Sequence, residues 1–222
     1  MTDERSAYAH EAARILLNTK SVLFNAREPF TFTSGRKSPV YVDCRRLISF
    51  PAERTMLMDM GAALLKQEAG GLDYVAGGET AGIPYAAFLA ERLDKPMLYV
   101  RKQAKGFGRM AQIEGVMENA GERVVLVEDL QTDGGSKKVF IDALRQAGAI
   151  VEHAFVVFHY GIFPDSEKNM RELGVTLHAL CTWWDVLKAA RAGSDYDAGT
   201  LDAIEAFLND PEGWAQKAAQ QK

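Results

Sequence analysis

Val124-Val-Leu-Val-Glu-Asp-Leu-Gln-Thr-Asp-Gly-Gly-Ser136 decides how this chain is read. Four consecutive aliphatic residues, Val124 to Val127, describe a strand buried on both faces, which requires a sheet covered by helices on either side. The strand is expected over Val124–Glu128, so Glu128 and Asp129 stand at its C-terminal end, where open α/β sheets bind their ligands. Thr132-Asp133-Gly134-Gly135-Ser136 then runs directly into a helical pattern, expected over Ser136–Ala147. Glycines let successive backbone N–H groups turn inward around an anion, and the helix N-terminus adds partial positive charge. The hydroxyls of Thr132 and Ser136 supply further donors. Two carboxylates beside a phosphate cradle suit a sugar phosphate: Glu128 and Asp129 accept from ribose hydroxyls while the loop holds the 5-phosphate. Taken alone, the same five residues also make an ordinary helix cap with glycine turn residues.

On either side of this segment, short apolar runs alternate with longer helical patterns. A helix is expected over residues 3–19, then two short strands around a Ser34-Gly35 turn, the second running Val40 to Asp43. Pro51 opens a helix with Met56, Leu57, Met60 and Leu64 at helical spacing, closed by Gly70-Gly71. Strand Tyr74–Gly77, helix Ile83–Leu93, strand Met97–Val100, the segment above, and strand His153–Phe158 continue the rhythm. A helix after Gly161, a strand Thr176–Leu180 and a helical tail, frayed at its AQKAAQQK end, complete it. The pattern predicts an α/β fold with a central, mainly parallel sheet and flanking helices. Residues 102–121 lack sustained periodicity and read as a functional loop or a short hairpin.

Composition excludes several classes of protein. With 26 Lys and Arg against 30 Asp and Glu among 222 residues, the net charge is −4, unlike a protein that coats nucleic acid. No apolar run approaches the length of a membrane span. The opening MTDERSAYAHEAAR has no apolar stretch and does not read as a secretory leader, and two cysteines make neither a disulfide framework nor a zinc site. A soluble, reduced, cytoplasmic protein is expected, with neither nucleic acid nor membrane as partner. The length allows one large domain or two small ones; without a linker or a repeat, one domain over 1–222 is the preferred reading. There is no GxxxxGK[ST], and Gly106-Phe-Gly-Arg-Met-Ala111 matches a dinucleotide fingerprint only formally, since no helical pattern follows it. His10, His153, His159 and His178 show no metal-ligand spacing and read as structural or surface residues. Cys44 reads as a small buried residue, and Trp183-Trp184 as packing for the C-terminal helix.

Two further loops carry anion chemistry. Arg101-Lys102-Gln-Ala-Lys105-Gly-Phe-Gly-Arg109 places four cations in nine residues of an acidic chain, flanked by glycines. A diphosphate would order such a loop, and its closure would exclude water; the plain alternative is a solvated basic loop. Gly77-Gly-Glu-Thr-Ala-Gly-Ile83 ends one strand and starts the next helix, again permitting close approach of an anion to the backbone.

Residues 124–136 resemble the phosphoribosyl-pyrophosphate (PRPP) signature of type I phosphoribosyltransferases. The basic loop is similar to the mobile catalytic loop of the orotate phosphoribosyltransferases, and Phe30-Thr-Phe-Thr-Ser-Gly-Arg-Lys-Ser-Pro-Val-Tyr-Val-Asp43 to their N-terminal hood. The resemblance spans about residues 20–185, with the hood formed largely by 20–50 and the C-terminal helices 183–222 unassigned by it. It implies transfer of phosphoribose from PRPP to orotate in pyrimidine synthesis. Lys105, Lys102 and Arg101 would be catalytic. Glu128, Asp129, Leu130, Gln131, Thr132, Asp133, Gly134, Gly135, Ser136, Thr80 and Ala81 would bind PRPP. Thr132, Tyr41 and Arg36 would meet orotate. Mg²⁺ would be held near Glu128 and Asp129, mostly through ligand or water, and a homodimer would share loop 101–115 across its interface. Three positions depart from the family pattern: Thr33 for a lysine, Phe107 for a histidine and Tyr160 for an arginine. Arg36, Arg45 and Arg46 are candidates to supply the missing cation, and Ala81 stands where some relatives carry lysine. The alternatives are a phosphoribosyltransferase for another base, or a PRPP-sensing regulator that has kept the fold.

Overall fold

The computed structural model describes residues 2–31, 37–104 and 112–220. By its internal contacts the chain divides into two compact units, residues 51–180 and residues 1–50 with 181–222.

The larger unit is built on a six-stranded sheet in the order β10-β9-β8-β5-β6-β7. These strands are β5 Tyr74–Gly78, β6 Met97–Val100, β7 Ile113–Glu114, β8 Arg123–Gln131, β9 Ile150–His159 and β10 Thr176–Thr182. Strands β6, β5, β8 and β9 pair in parallel, while β7 pairs antiparallel with β6. Helices α3 Gly82–Leu93, α4 Lys137–Gln146 and α5 Pro164–Leu173 are the crossovers, and α2 Pro51–Glu68 precedes β5. All five residues of β5 are buried, as are Val124 to Val127 of β8, as expected for central strands covered on both faces.

The smaller unit contains α1 Thr2–Asn18 and the antiparallel pair β1 Val22–Phe24 with β4 Val40–Val42. A second pair joins β2 Phe30–Thr31 to β3 Lys37–Ser38, whereas the strand expected over Val40–Asp43 forms as β4 and pairs with β1 instead of across Ser34-Gly35, a turn outside the described residues. Helices α6 Trp183–Ala192, α7 Ala198–Asn209 and α8 Pro211–Gln220 complete it. Thr182 and Asp185 cap α6 reciprocally, and the fully buried Trp183 lies with Phe24, ring centroids 6.2 Å apart. Cys44 is buried as expected.

Several boundaries differ from the sequence reading. Strand β8 continues through Gln131 instead of ending at Glu128, because β9 supplies partners for Glu128, Leu130 and Gln131. Backbone pairing there overrides the polar side chains that read as a loop. In the aperiodic stretch 102–121 the hairpin alternative is realised in part, with Tyr99 opposite Glu114 and Val100 opposite Ile113. Strand β1 and a 3-10 helix at Cys44–Ser49 are additional elements.

Glycines set how closely the crossovers press on the sheet. A Cβ on Gly77 would stand 2.8 Å from Ile83 Cα, and one on Gly82 would collide with the Val127 carbonyl oxygen and lie 3.1 Å from Glu128 Cα. The obstacles at Gly82 are backbone atoms, which cannot swing aside. Gly82→Ala should lower the Tm by about 5–10 °C through overpacking, whereas Gly70→Ala, with nothing within 4 Å, should leave it unchanged. Thermal melts monitored by circular dichroism test both.

Candidate active site

Three segments meet at the C-terminal ends of neighbouring parallel strands. Strand β5 runs into Glu79, Thr80 and Ala81 ahead of α3; β6 runs into Arg101 and Lys102; β8 ends in the acidic pair and leads through Thr132–Ser136 into α4. Gly78 lies against Glu128: a Cβ there would be 3.1 Å from Glu128 Cγ. Thr80 is exposed and Ala81 half-buried, and the Glu79–Thr80 peptide is cis.

The acidic pair splits into two different environments. Glu128 Oε2 lies 2.6 Å from Lys137 Nζ, and the lysine side chain is 1% exposed. Lys137 Nζ also donates to the Leu130 carbonyl at 3.3 Å. Asp129 instead has Oδ1 accepting from the Leu130 amide at 2.9 Å. Burial, against that amide bond and with the Glu128 charge adding to it, raises the Asp129 carboxyl above the ordinary carboxylate range. Lys137 was not singled out by the sequence reading, yet a signal was available. A lysine in the first turn of a helix opposes the helix dipole and so calls for an acidic partner.

The Thr132–Ser136 loop has the shape of an anion cradle. Gly134 sits at φ +81°, a conformation that favours glycine, and the Gly135 amide donates to Asp133 Oδ1 at 3.1 Å. Asp133, Gly135 and Ser136 are exposed, Thr132 is half-buried, and Ser136 stands at the start of α4 without capping it through its side chain. Leu130 and Gln131 belong to the paired strand, and the Gln131 amide is buried with Nε2 on Ser166 Oγ at 2.8 Å.

The basic loop is tied at its root. Arg101 donates its amide to the Gln112 carbonyl at 2.8 Å and faces Glu114, with Nη1 to Oε1 at 3.7 Å. The Lys102 amide donates to Glu79 Oε2 at 2.7 Å, joining this root to the Gly77–Gly82 turn. Glu79, Glu114 and Gln112 are therefore structural members of the site that the motif reading passed over. Lys105, Gly106, Phe107, Gly108 and Arg109 lie outside the described residues, as do Thr33 and Arg36.

Tyr41 belongs to the smaller unit, where its ring lies 5.6 Å from Phe30. In the same unit Arg45 Nε pairs with Asp43 Oδ1 at 2.9 Å and Arg46 donates to the Thr19 carbonyl at 3.3 Å. Tyr160, in place of the family arginine, lies in a ring ladder between Phe158 and Phe163, at 5.7 and 5.9 Å. The histidines have local roles: His178 bridges His153 at 3.0 Å and Glu68 at 3.1 Å, His159 faces Ser166, and His10 is exposed. Among the described residues no three His, Cys, Asp or Glu side chains converge to hold a metal by themselves.

Removing Lys137 alone strands a carboxylate that is 12% exposed, so Lys137→Met should destabilise the protein by about 3–5 kcal/mol. Glu128→Gln combined with Lys137→Met should recover much of that loss, read by chemical denaturation of the two single variants and the double. Asp129 gives a pH test. Its raised pKa means that the folded state binds the proton more tightly than the unfolded chain, so its contribution to stability is lost as pH rises from the ordinary carboxylate value through the folded one. Asp129→Asn should therefore raise the Tm near about pH 8, with the gain shrinking towards about pH 4. Melts across that range check it.

Comparison with known proteins places this architecture. The phosphoribosyl transferase domain family matches residues 59–172. The chain is 55% identical over 215 residues to an orotate phosphoribosyltransferase of Dinoroseobacter shibae, covering 96% of this chain and 95% of that one. It is 56% identical over 212 residues to one of Cereibacter sphaeroides, covering 95% and 91%. Among solved structures, orotate phosphoribosyltransferase from Aeropyrum pernix superposes with a TM-score of 0.70 at 34% identity, covering 82% of this chain and 99% of that one. Leishmania donovani UMP synthase gives a TM-score of 0.75 at 28% identity over 90% of this chain and 42% of its own. Matched at 55–56% identity over nearly its whole length, the chain belongs to the orotate phosphoribosyltransferase family of type I phosphoribosyltransferases.

Proposed function

We propose that this protein transfers the phosphoribosyl group of PRPP to N1 of orotate, releasing diphosphate and forming orotidine 5'-phosphate in pyrimidine nucleotide synthesis. One observation carries the reading. In a member of the orotate phosphoribosyltransferase family, the Gly77–Gly82 turn, the root of a basic loop, and an acidic strand end leading into Thr132–Ser136 stand at the ends of adjacent parallel strands.

Breaking the anomeric C–O bond develops positive charge on the ribose ring and negative charge on the departing diphosphate, while a bond forms from C1 to N1 of orotate. The Thr132–Ser136 loop, with Asp133, Gly134 and Gly135 between the two hydroxyl residues, holds the 5-phosphate through backbone N–H groups and the α4 N-terminus. Asp129 accepts from the ribose hydroxyls. Glu128, neutralised by Lys137, supports the ring and keeps the end of β8 in place. Leu130 and Gln131 contribute by shaping the strand end that leads into the loop. The turn at Thr80 and Ala81 receives the diphosphate, and Arg101, Lys102 and Lys105 stabilise it as it leaves. Arg101, with its Glu114 partner, anchors the loop that carries the two lysines.

The carboxylates fit a hydrated cation brought in on the substrate. Mg²⁺ needs only one or two carboxylates, with phosphates and water completing its shell, and the Asp129 carboxyl, raised by burial, would be held ionised by such a charge. Asp129, and Glu128 through water, would hold Mg²⁺, which supplies neutralisation of the diphosphate charge.

For orotate we assign Thr132, Tyr41 and Arg36. Arg45 and Arg46 are engaged by Asp43 and Thr19, which favours Arg36 for the carboxylate. A cytoplasmic homodimer sharing loop 101–115 completes the proposal, with PRPP and orotate as substrates and neither nucleic acid nor membrane as partner. Among the described residues no helix is long and apolar enough to cross a membrane.

Incubation of the pure protein with PRPP, Mg²⁺ and a panel of bases should consume orotate, read as loss of its absorbance with matching diphosphate release. Turnover of another base alone, or of none, contradicts the reading. Lys105→Ala should lower kcat by about 10²–10³-fold, the scale of losing one group that stabilises transition-state charge, with the Tm unchanged.

A further inference from the structure

Helix α5 is hydrogen-bonded to the Thr132–Ser136 loop and to the residue just before it. Asn169 Nδ2 donates to the Asp133 carbonyl at 2.8 Å. Ser166 Oγ accepts from Gln131 Nε2 at 2.8 Å, and Gln131 is the residue immediately preceding the loop. The Gln131 side chain lies beneath the loop, for a Cβ on Gly134 would stand 3.2 Å from Nε2. Gln131 and Ser166 are 2% and 1% exposed. His159 Nε2 lies 2.8 Å from the same serine oxygen. Ser166 Oγ thus joins the Gln131 amide and the His159 ring nitrogen in one buried cluster. Burial, and after it the Lys137 charge, lowers the His159 pKa against the opposing Glu167.

An anion cradle made of backbone N–H groups binds well only when it is already in place, because ordering it on binding subtracts from affinity. Two adjacent glycines, Gly134 and Gly135, make this loop costly to order. The pair of Glu128 and Lys137 fixes its far end at the start of α4. The near end and the middle are held from α5, an element that carries none of the residues assigned to substrate.

We infer that Ser166 and Asn169 are positioning residues that hold the Thr132–Ser136 loop in its phosphate-binding shape, and so set the affinity for the ribose 5-phosphate end of PRPP. The inference rests on the assignment of this loop to the 5-phosphate under Proposed function. Ser166 borders a cavity of about 400 Å³ shared with Gln131, Met170 and Leu177, and threonine is the conservative replacement that keeps the hydroxyl.

The test uses the full chain with Mg²⁺, measuring steady-state kinetics and calorimetric binding of ribose 5-phosphate. Asn169→Ala and Ser166→Ala should each raise the KM for PRPP and the Kd for ribose 5-phosphate about five-fold, the worth of one neutral hydrogen bond, with kcat and the KM for orotate within about two-fold of wild type. Ser166→Thr should restore the wild-type values. Unchanged affinity for PRPP and ribose 5-phosphate in both alanine variants overturns the inference. So does a parallel loss of kcat and of affinity for both substrates that threonine does not rescue, since that would mark a merely structural role. Ribose 5-phosphate binding needs no base, so wild-type protein that binds it but does not turn over orotate would retire the orotate reading and leave the positioning role open to the same titration.

Discussion

The buried ion pair between Glu128 and Lys137 is the constraint on which the site depends. It links the end of β8 to the first turn of α4 across the five residues between Gln131 and Lys137, so the intervening loop has little freedom left. The pair also sorts the two carboxylates. Glu128 is paired with Lys137, while Asp129 beside it forms no ion pair among the described residues and is raised by burial. A lysine in the first turn of a helix is placed against the helix dipole, and its 1% exposure removes water as a partner. The position is tolerable only because Glu128 and the Leu130 carbonyl lie within reach.

Around this pair the structure separates tightly packed backbone from loops free to carry chemistry. Gly77, Gly78 and Gly82 allow the β5–α3 turn to lie against β8 so closely that a side chain at any of them would meet a neighbour. The root of the basic segment, Arg101 and Lys102, is held by Glu79, Gln112 and Glu114. A net charge of −4 thus conceals four cations within residues 101–109 and a carboxylate pair at 128–129.

The core of the sheet is legible in the sequence because its strands are short continuous apolar runs and its crossovers are long helical patterns. Tyr74–Gly78, Met97–Val100 and the start of β8 are read almost to the residue. The end of β8 is not, since Glu128, Asp129 and Gln131 are polar and only pairing with β9 makes the stretch strand. Strand β1 is three residues long and is created by a partner eighteen positions away in Val40–Val42, which no local pattern reveals. The site divides in the same way. The acidic pair and the glycine-rich loop are visible as a contiguous motif, and the lysine at the α4 start is visible as a violation of the dipole rule. Ser166 and Asn169 reach the loop across about thirty-five residues, and their contacts belong to the tertiary fold alone. Arg36 and Lys105 rest on resemblance, outside the described residues.

On the proposed function, the ends of β5, β6 and β8 form one ribose-phosphate site organised by the Glu128–Lys137 pair. A crystal structure of the protein with PRPP and Mg²⁺ tests it most directly. The 5-phosphate should lie on the backbone amides of Thr132–Ser136, the ribose hydroxyls on Asp129, and the diphosphate between the Gly77–Gly82 turn and the basic loop, with Lys137 still on Glu128. PRPP bound elsewhere, or Lys137 turned out of its pairing to contact the phosphate itself, would contradict it.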